Sequence, residues 1–136
     1  MTHVLIDFES IQPRHLAAWA DDDTQVTVFV GAHQQRIPFE FAAALQALGA
    51  RGHYVKLHRA GKNALDFHLV FHLGELIARD PATRVQIVSK DSGFDALIED
   101  LQARGVAVER LCLEPGTDSG EPCRDVESGP LSATDP

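Results

Sequence analysis

Five short runs of β-branched and aliphatic residues alternate with helix-forming segments, and this alternation constrains the fold more than any other feature. The runs predict strands over residues 3–8, 25–32, 52–58, 83–90 and 106–113. Helical segments are predicted over 12–20, 37–50 and 64–79, and a turn with a helix over 91–105. Short connections of this kind imply right-handed βαβ units. We therefore expect a three-layer α/β/α sandwich with a central, mainly parallel five-stranded sheet.

The chain is long enough for one domain with its own core, which we place at residues 1–113. Residues 114–136 are rich in proline, glycine, serine and acids, lack apolar periodicity, and are expected to form a disordered tail. The net charge of −8 is concentrated in that tail. Charge alone therefore neither favours nor excludes a partner that carries phosphate groups.

Composition also bears on the compartment. No apolar run approaches the roughly 18–20 residues needed to cross a bilayer, so no membrane association is expected. The N-terminus lacks the basic start of a secretion signal. The two cysteines, Cys112 and Cys123, have no CxxC partner and fit reduced thiols. The sequence therefore predicts a cytoplasmic protein.

Carboxylates follow the predicted strands at positions that a parallel sheet brings to one edge. Asp7 and Glu9 follow the first strand in "VLIDFES", and Asp91 follows the fourth in "IVSKDSGFD", with Asp95 one helical turn later. Asp66 lies in the first turn of the long helix after the third strand. Ligands of such sheets bind at this edge, and like charges gathered there repel unless a cation lies among them. Oxygen ligands of this kind predict a Mg²⁺ or Mn²⁺ site.

Each acid also has a purely structural interpretation. Asp7 can close a strand by accepting bonds from loop amides, and Glu9 can be a solvated loop residue. Asn63 can cap the long helix, with Asp66 beside the helix dipole. The stretch "SGFD", which ends at Asp95, matches a capping box. The prediction of a metal site therefore depends on the convergence of several acids.

The stretches "VLIDFES", "GKNALDFHL" and "IVSKDSGFDALIEDLQARG" resemble the first, middle and last acidic motifs of PIN-like ribonucleases, particularly the NYN branch and related bacterial PIN-like domains. The resemblance covers residues 3–110 and implies a PIN-like, Rossmann-like domain. It implies Asp7, Asp66 and Asp91 as metal ligands, with Glu9 and Asp95 as ligands or their neighbours. One departure is that Ser10 replaces the asparagine that usually follows the acid pair in NYN proteins.

The resemblance implies a metal-dependent endoribonuclease that hydrolyses RNA phosphodiester bonds with Mg²⁺ or Mn²⁺. Catalytic roles then fall on Asp7, Asp66, Asp91 and Asp95, and either of the last two could orient the attacking water. Polar side chains near the same edge are expected to contact the RNA: Ser10, Gln34, Gln35, Arg36, Lys62 and Lys90. The alternative that stays open is a catalytically weak PIN-like module that binds RNA or another protein.

The long helix carries two further patterns. His68 and His72 are four residues apart, as in some zinc sites, but no glutamate follows His68, so surface or interface histidines are expected. Phe67 and Phe71 fit either the core or a surface for self-association, which makes a homodimer one expected assembly. Other folds with acids at strand ends fit less well, because no P-loop or GxGxxG motif follows the first strand.

Overall fold

The computed structural model describes residues 1–14, 16, 19, 21–112 and 121–122. Five parallel strands form the sheet in the order β3-β2-β1-β4-β5: β1 (Thr2–Asp7), β2 (Thr24–Val30), β3 (Gly52–Lys56), β4 (Arg84–Val88) and β5 (Ala107–Cys112). A two-residue strand, β6 (Glu121–Pro122), pairs antiparallel with β5. The predicted, mainly parallel sheet is confirmed.

Three α-helices lie between the strands: α1 (Phe39–Ala47), α2 (Ala64–Arg79) and α3 (Asp95–Ala103). Two single turns of 3₁₀ helix, Gly49–Arg51 and Ser92–Phe94, precede β3 and α3. Helix α2 has the predicted bounds, α1 is shorter than predicted at both ends, and α3, which follows the predicted turn, ends two residues before the predicted segment does. The shortening of α1 has a local cause, since Gly49 has a φ of 63° and takes the chain out of the helical conformation.

The sheet separates two apolar cores, which is why its central strands are almost continuous aliphatic runs. On one face, Val4 belongs to the same core as Phe41 of α1. On the other face, Leu5 and Ile87 share a core with Leu69 of α2. Helix α3 contributes to this second core, so the architecture is the predicted α/β/α sandwich.

The helix predicted over residues 12–20 does not begin where the sequence suggested. Residues 12–14 are not helical, and the side-chain amide of Gln12 donates a hydrogen bond to the Phe8 carbonyl. Pro13 is buried, and Leu16 and Trp19 belong to the first core. This segment therefore covers the sheet with apolar side chains, while residues 15, 17, 18 and 20 lie outside the described part of the chain.

The strand order fixes the place where a ligand can bind. Strands β1 and β4 are neighbours at the centre of the sheet, although two strands separate them in the sequence. A crevice forms where the order reverses in this way, beyond the carboxyl ends of the strands. The register pairs Ile6 with Val88, so the next residues, Asp7 and Ser89, are neighbours at that edge.

The C-terminal part of the described chain includes Cys112 and the short strand β6. Most of the predicted tail over 114–136 lies outside the described residues, and its two described residues, Glu121–Pro122, form β6, so the disordered tail stays a prediction. Cys112 is disulfide-bonded, so the expectation of a reduced thiol is wrong for this residue. Among the helices in the described ranges, none has the length and apolar character that crossing a membrane requires.

Candidate functional site

A cavity of about 290 Å³ opens at the carboxyl edge of the sheet. Its wall includes four carboxylates: Asp7, Glu9, Asp66 and Asp91. Ser10 also lines it, and the rest of the wall is small or apolar apart from one asparagine: Ala32, Leu57, Ala60, Gly61, Asn63, Ala64 and Leu65. Acids from three separate stretches of the sequence therefore share one cavity.

Asp7 is the last residue of β1 and is 4% exposed. Its Oδ2 accepts a hydrogen bond from the Ser89 hydroxyl at 2.8 Å, and its Oδ1 accepts one from the Ser10 amide at 3.2 Å. Burial raises the pKa of Asp7 above its ordinary value, while these hydrogen bonds act in the opposite direction. The carboxylate is therefore held in one orientation.

Ser89 connects the two central strands at this edge. It is fully buried, and its Oγ accepts a hydrogen bond from the Asp91 amide at 3.0 Å while donating to Asp7. One hydroxyl thus fixes the end of β1 relative to the loop after β4. Sequence reasoning missed this residue, although the pairing of β1 with β4 would have placed it beside Asp7.

Asp66 and Asp91 hydrogen-bond to each other through their carboxyl groups. Burial, followed by this contact and the nearby charges of Asp91, Asp7 and Glu9, raises the pKa of Asp66 to about 7. The hydrogen bond from Asp66 lowers the pKa of Asp91, and the Gly93 amide, which donates to Asp91 Oδ1 at 2.8 Å, adds to the effect. Below about pH 7 the pair therefore holds one proton in the metal-free protein.

Glu9 is exposed but lies against the loop after β2. A Cβ atom on Gly31 would come within 1.9 Å of Glu9 Oε2, so only glycine leaves room for this carboxylate. Gln34 holds the same loop, because its Oε1 accepts from the Gly31 amide at 2.8 Å and its Nε2 donates to the Phe8 carbonyl at 3.0 Å. Gln34, expected among the RNA contacts, instead joins two backbone segments.

Asp95 does not line the cavity. Its carboxylate forms a bidentate ion pair with Arg110 of β5, with Nε–Oδ1 at 2.7 Å and Nη2–Oδ2 at 2.9 Å. Nη1 of Arg110 also donates to the Ser89 carbonyl at 3.1 Å. The expected metal ligation by Asp95 is therefore not seen in this arrangement; the residue connects α3 to β5. The capping-box alternative is not seen either, since no side chain caps α3.

The residues expected to contact RNA lie at or around the cavity. Ser10 lines it, and its Oγ accepts a hydrogen bond from the Lys90 amide at 2.7 Å. Arg36, Lys62 and Lys90 have exposed side chains on the loops after β2, β3 and β4, outside the cavity wall. Within the described ranges no acid forms an ion pair with any of the three. Gln35 is likewise exposed.

The two histidines of α2 make separate local contacts. His68 Nδ1 lies 2.8 Å from the Ala64 carbonyl, and His72 Nδ1 lies 4.0 Å from Glu75 Oε1. Across residues 1–14, 16, 19 and 21–112, the side chains of aspartate, glutamate, histidine and cysteine form no group of three or more in an arrangement that could hold a metal ion. At the cavity, Asp66 and Asp91 are bonded to each other instead.

The chemistry of the cavity nevertheless suits a divalent cation. Carboxylate oxygens are the ligands that Mg²⁺ and Mn²⁺ prefer, and four of them line one small space. The raised pKa of Asp66 reflects in part the repulsion among these groups. A shared proton removes one negative charge in the metal-free protein, and a cation can take over that role.

Comparison with protein families gives a match over most of the chain. The family model of the PIN domain matches residues 1–111, and PIN domains are typically nucleases that use divalent metals. No curated protein and no solved structure matches the chain. The match is to the PIN domain as a whole, and assignment to the NYN branch stays a prediction. The chain belongs to the PIN domain family.

Proposed function

We propose that this protein is a metal-dependent endoribonuclease that hydrolyses RNA phosphodiester bonds at the cavity on the carboxyl edge of the sheet. The observation that carries the proposal is the shared cavity of Asp7, Glu9, Asp66 and Asp91. Membership in a family of nucleases supports the reaction class, and the resemblance to PIN-like ribonucleases supports RNA as the substrate.

Asp7, Asp66 and Asp91 are the residues we propose as ligands of Mg²⁺ or Mn²⁺, with Glu9 at the mouth of the site. A bound cation supplies Lewis-acid activation of water and shields the charge that develops on the phosphate. The protein supplies carboxylates that are already oriented. Ser89 and the Ser10 amide hold Asp7, and the Gly93 amide holds Asp91.

Orientation of the attacking water falls to Asp91 in this proposal. The sequence offered Asp91 or Asp95 for that task, but both carboxylate oxygens of Asp95 are bonded to Arg110. Asp91 lines the cavity and has its Oδ1 fixed by a backbone amide. We assign contacts with the substrate phosphates to Ser10, at the wall, and to Lys90, one residue before Asp91.

A second candidate is a catalytically weak module that binds RNA without cutting it. The observation that favours it is the absence of a ready-made metal-binding group among the described side chains, together with the direct bond between Asp66 and Asp91. This candidate predicts that RNA is retained in the presence of Mn²⁺ with no cleavage products.

A cleavage assay on labelled single-stranded RNA with Mn²⁺ or EDTA separates the two. We expect cleavage by the wild type in Mn²⁺, none in EDTA, and a loss of about 100-fold or more in Asp7→Asn and Asp91→Asn. Asp95→Asn is the matched control, because it removes a charge from the same segment without altering the cavity wall, and it should keep most of the activity. Cleavage that persists in EDTA, or that neither Asp7→Asn nor Asp91→Asn reduces, contradicts the proposal.

A further inference from the structure

We infer that Phe67 and Phe71 of α2 form a platform on which unpaired bases of a single-stranded RNA stack beside the cavity. This inference rests on the proposed function, since it names the form of RNA that the same site receives. We call these two residues the α2 aromatic pair.

The α2 aromatic pair faces solvent. Phe67 is 69% exposed and Phe71 is 65% exposed, whereas Leu65, Leu69 and Leu73 of the same helix are buried. Of the two interpretations of these phenylalanines, core or surface, placement in the core is therefore wrong. Residues four apart lie on the same side of a helix, so the two rings form an aromatic strip on one side of α2, with the Phe71 ring edge-on to His72 at 6.0 Å between centroids.

The strip begins at the cavity. Phe67 directly follows Asp66, which lines the wall, and Phe71 lies one helical turn, about 6 Å, further along the axis. The loop that leads into α2 also contributes to the wall through Ala60, Gly61 and Asn63. A strand whose backbone enters the cavity therefore passes the aromatic pair.

Charge indicates which occupant fits. Arg59 and Lys62 are exposed on this loop, and no acid in the described part of the chain forms an ion pair with them. An occupant that suits both features carries phosphates for the two cations and flat, unpaired rings for the phenylalanines. Single-stranded nucleic acid has both, because its bases can stack on aromatic side chains. The bases of a duplex are stacked on one another and cannot.

The test measures binding by fluorescence anisotropy in EDTA, where the proposed function expects no cleavage, with an unstructured single-stranded RNA and a duplex as probes and a gel to verify that the RNA is intact. We expect the wild type to prefer the single strand. Replacing both rings, Phe67→Ala with Phe71→Ala, should weaken single-strand binding about 10- to 100-fold. Replacement of both by leucine should weaken it similarly, because leucine keeps apolar area but has no aromatic face.

Phe39→Ala is the matched control, since Phe39 is 84% exposed on α1, which packs on the opposite face of the sheet. It should bind RNA like the wild type, and circular dichroism should show that all variants are folded. Unchanged binding by the double alanine variant, full binding by the double leucine variant, or no preference for the single strand overturns the inference.

Sedimentation tests whether the α2 aromatic pair binds a second copy of this chain instead of RNA. A wild-type dimer that becomes a monomer in the double alanine variant, with RNA binding unchanged, assigns the aromatic pair to self-association and overturns the inference. The proposed function fails separately: if Mn²⁺ gives no cleavage but the alanine variant still loses single-strand binding, the platform stands and the nuclease activity does not.

Discussion

Asp66 is the residue whose protonation should depend most on a bound cation. Its pKa of about 7 in the folded protein lies well above the ordinary value of 3.8, so the fold favours the protonated form. The resulting stabilisation is fully present below pH 3.8 and is lost as the pH rises through about 7. We expect the melting temperature of the metal-free protein to fall by a few degrees more, between about pH 5 and pH 8, than that of Asp66→Asn.

The matched comparison is made by thermal melts in EDTA and in Mn²⁺. Asp66→Asn has no titrating group at this position. The difference between the two proteins in the pH dependence of the melting temperature therefore reports on Asp66 and not on the histidines, which both proteins contain. Mn²⁺ should raise the wild-type melting temperature most at the higher pH, where it replaces the lost proton. Parallel pH curves for wild type and Asp66→Asn would contradict the assignment of a shared proton.

Ser89 should contribute to stability well beyond its size. Replacing it by alanine removes the donor to buried Asp7 Oδ2 and the acceptor of the Asp91 amide. Leaving such groups unsatisfied costs about 1–3 kcal/mol of the free energy of unfolding. Urea denaturation of Ser89→Ala measures this, with Ser92→Ala, which alters an exposed serine of the neighbouring turn, as the control. Equal effects of the two substitutions would contradict it.

Individual residues were predictable where strand ends determine position. Asp7 and Asp91 could be placed because each follows an aliphatic run. The partner of Asp95 could not be, because Arg110 lies 15 residues away and its contact depends on how α3 packs against β5. Spacing along the chain shows which face of an element a residue occupies. It does not show which side chain will form an ion pair or hydrogen bond with that residue.

Among the secondary-structure elements, the loops after β1 and β2 are coupled through a glycine. In Gly31→Ala the new methyl group displaces the Glu9 carboxylate, whose nearest atom lies at 1.9 Å from its position. The end of a flexible side chain moves readily, so we expect stability to change by less than about 1 kcal/mol. Mn²⁺ affinity, measured by calorimetry, should fall to near that of Glu9→Gln, and unchanged affinity would argue against a role for Glu9.

The ion pair between α3 and β5 is a structural link. Arg110 is 8% exposed, and its removal in Arg110→Met leaves Asp95 unpaired and the Ser89 carbonyl without this donor. We expect a loss of about 2–4 kcal/mol in the free energy of unfolding, and a smaller loss in Asp95→Asn, where an acceptor oxygen remains. Denaturation of both variants and the double variant gives the coupling energy, which should be about 1 kcal/mol or more. Additive effects would contradict this.

Helix α2 could be predicted to the residue, since its buried leucines recur at helical spacing and Gly61 and Asp80 lie just outside it. The predicted helix at 12–20 shows the limit of such patterns. Good helix formers and a proline near the start favoured a helix from residue 12, yet residues 12–14 are not helical, Gln12 donates to the Phe8 carbonyl, and Pro13 is buried. Tertiary packing overrides propensity at such short segments.

For the whole molecule, the net charge is negative, but exposed cations lie beside the acidic cavity where RNA is expected to bind. The chain carries −8, but exposed Lys62 and Lys90 flank the cavity. We expect RNA affinity to fall with salt, and the slope of log affinity against log salt to decrease by about 0.7 for each lysine that contacts a phosphate. Lys62→Gln and Lys90→Gln test this, with Arg84→Gln at the opposite edge as the control. Equal salt slopes for the three variants would show that neither lysine contacts a phosphate of the RNA.

The sheet order brings Asp7 and Asp91 from distant segments of the chain to one cavity. Binding of a divalent ion there is the claim on which the proposed function depends. Anomalous diffraction from a crystal soaked in Mn²⁺ tests it most directly. We predict a peak about 2.0–2.5 Å from carboxylate oxygens of Asp7, Asp66 and Asp91, with the Asp66–Asp91 hydrogen bond broken. A cavity without a peak, in which that hydrogen bond persists in saturating Mn²⁺, would contradict the claim.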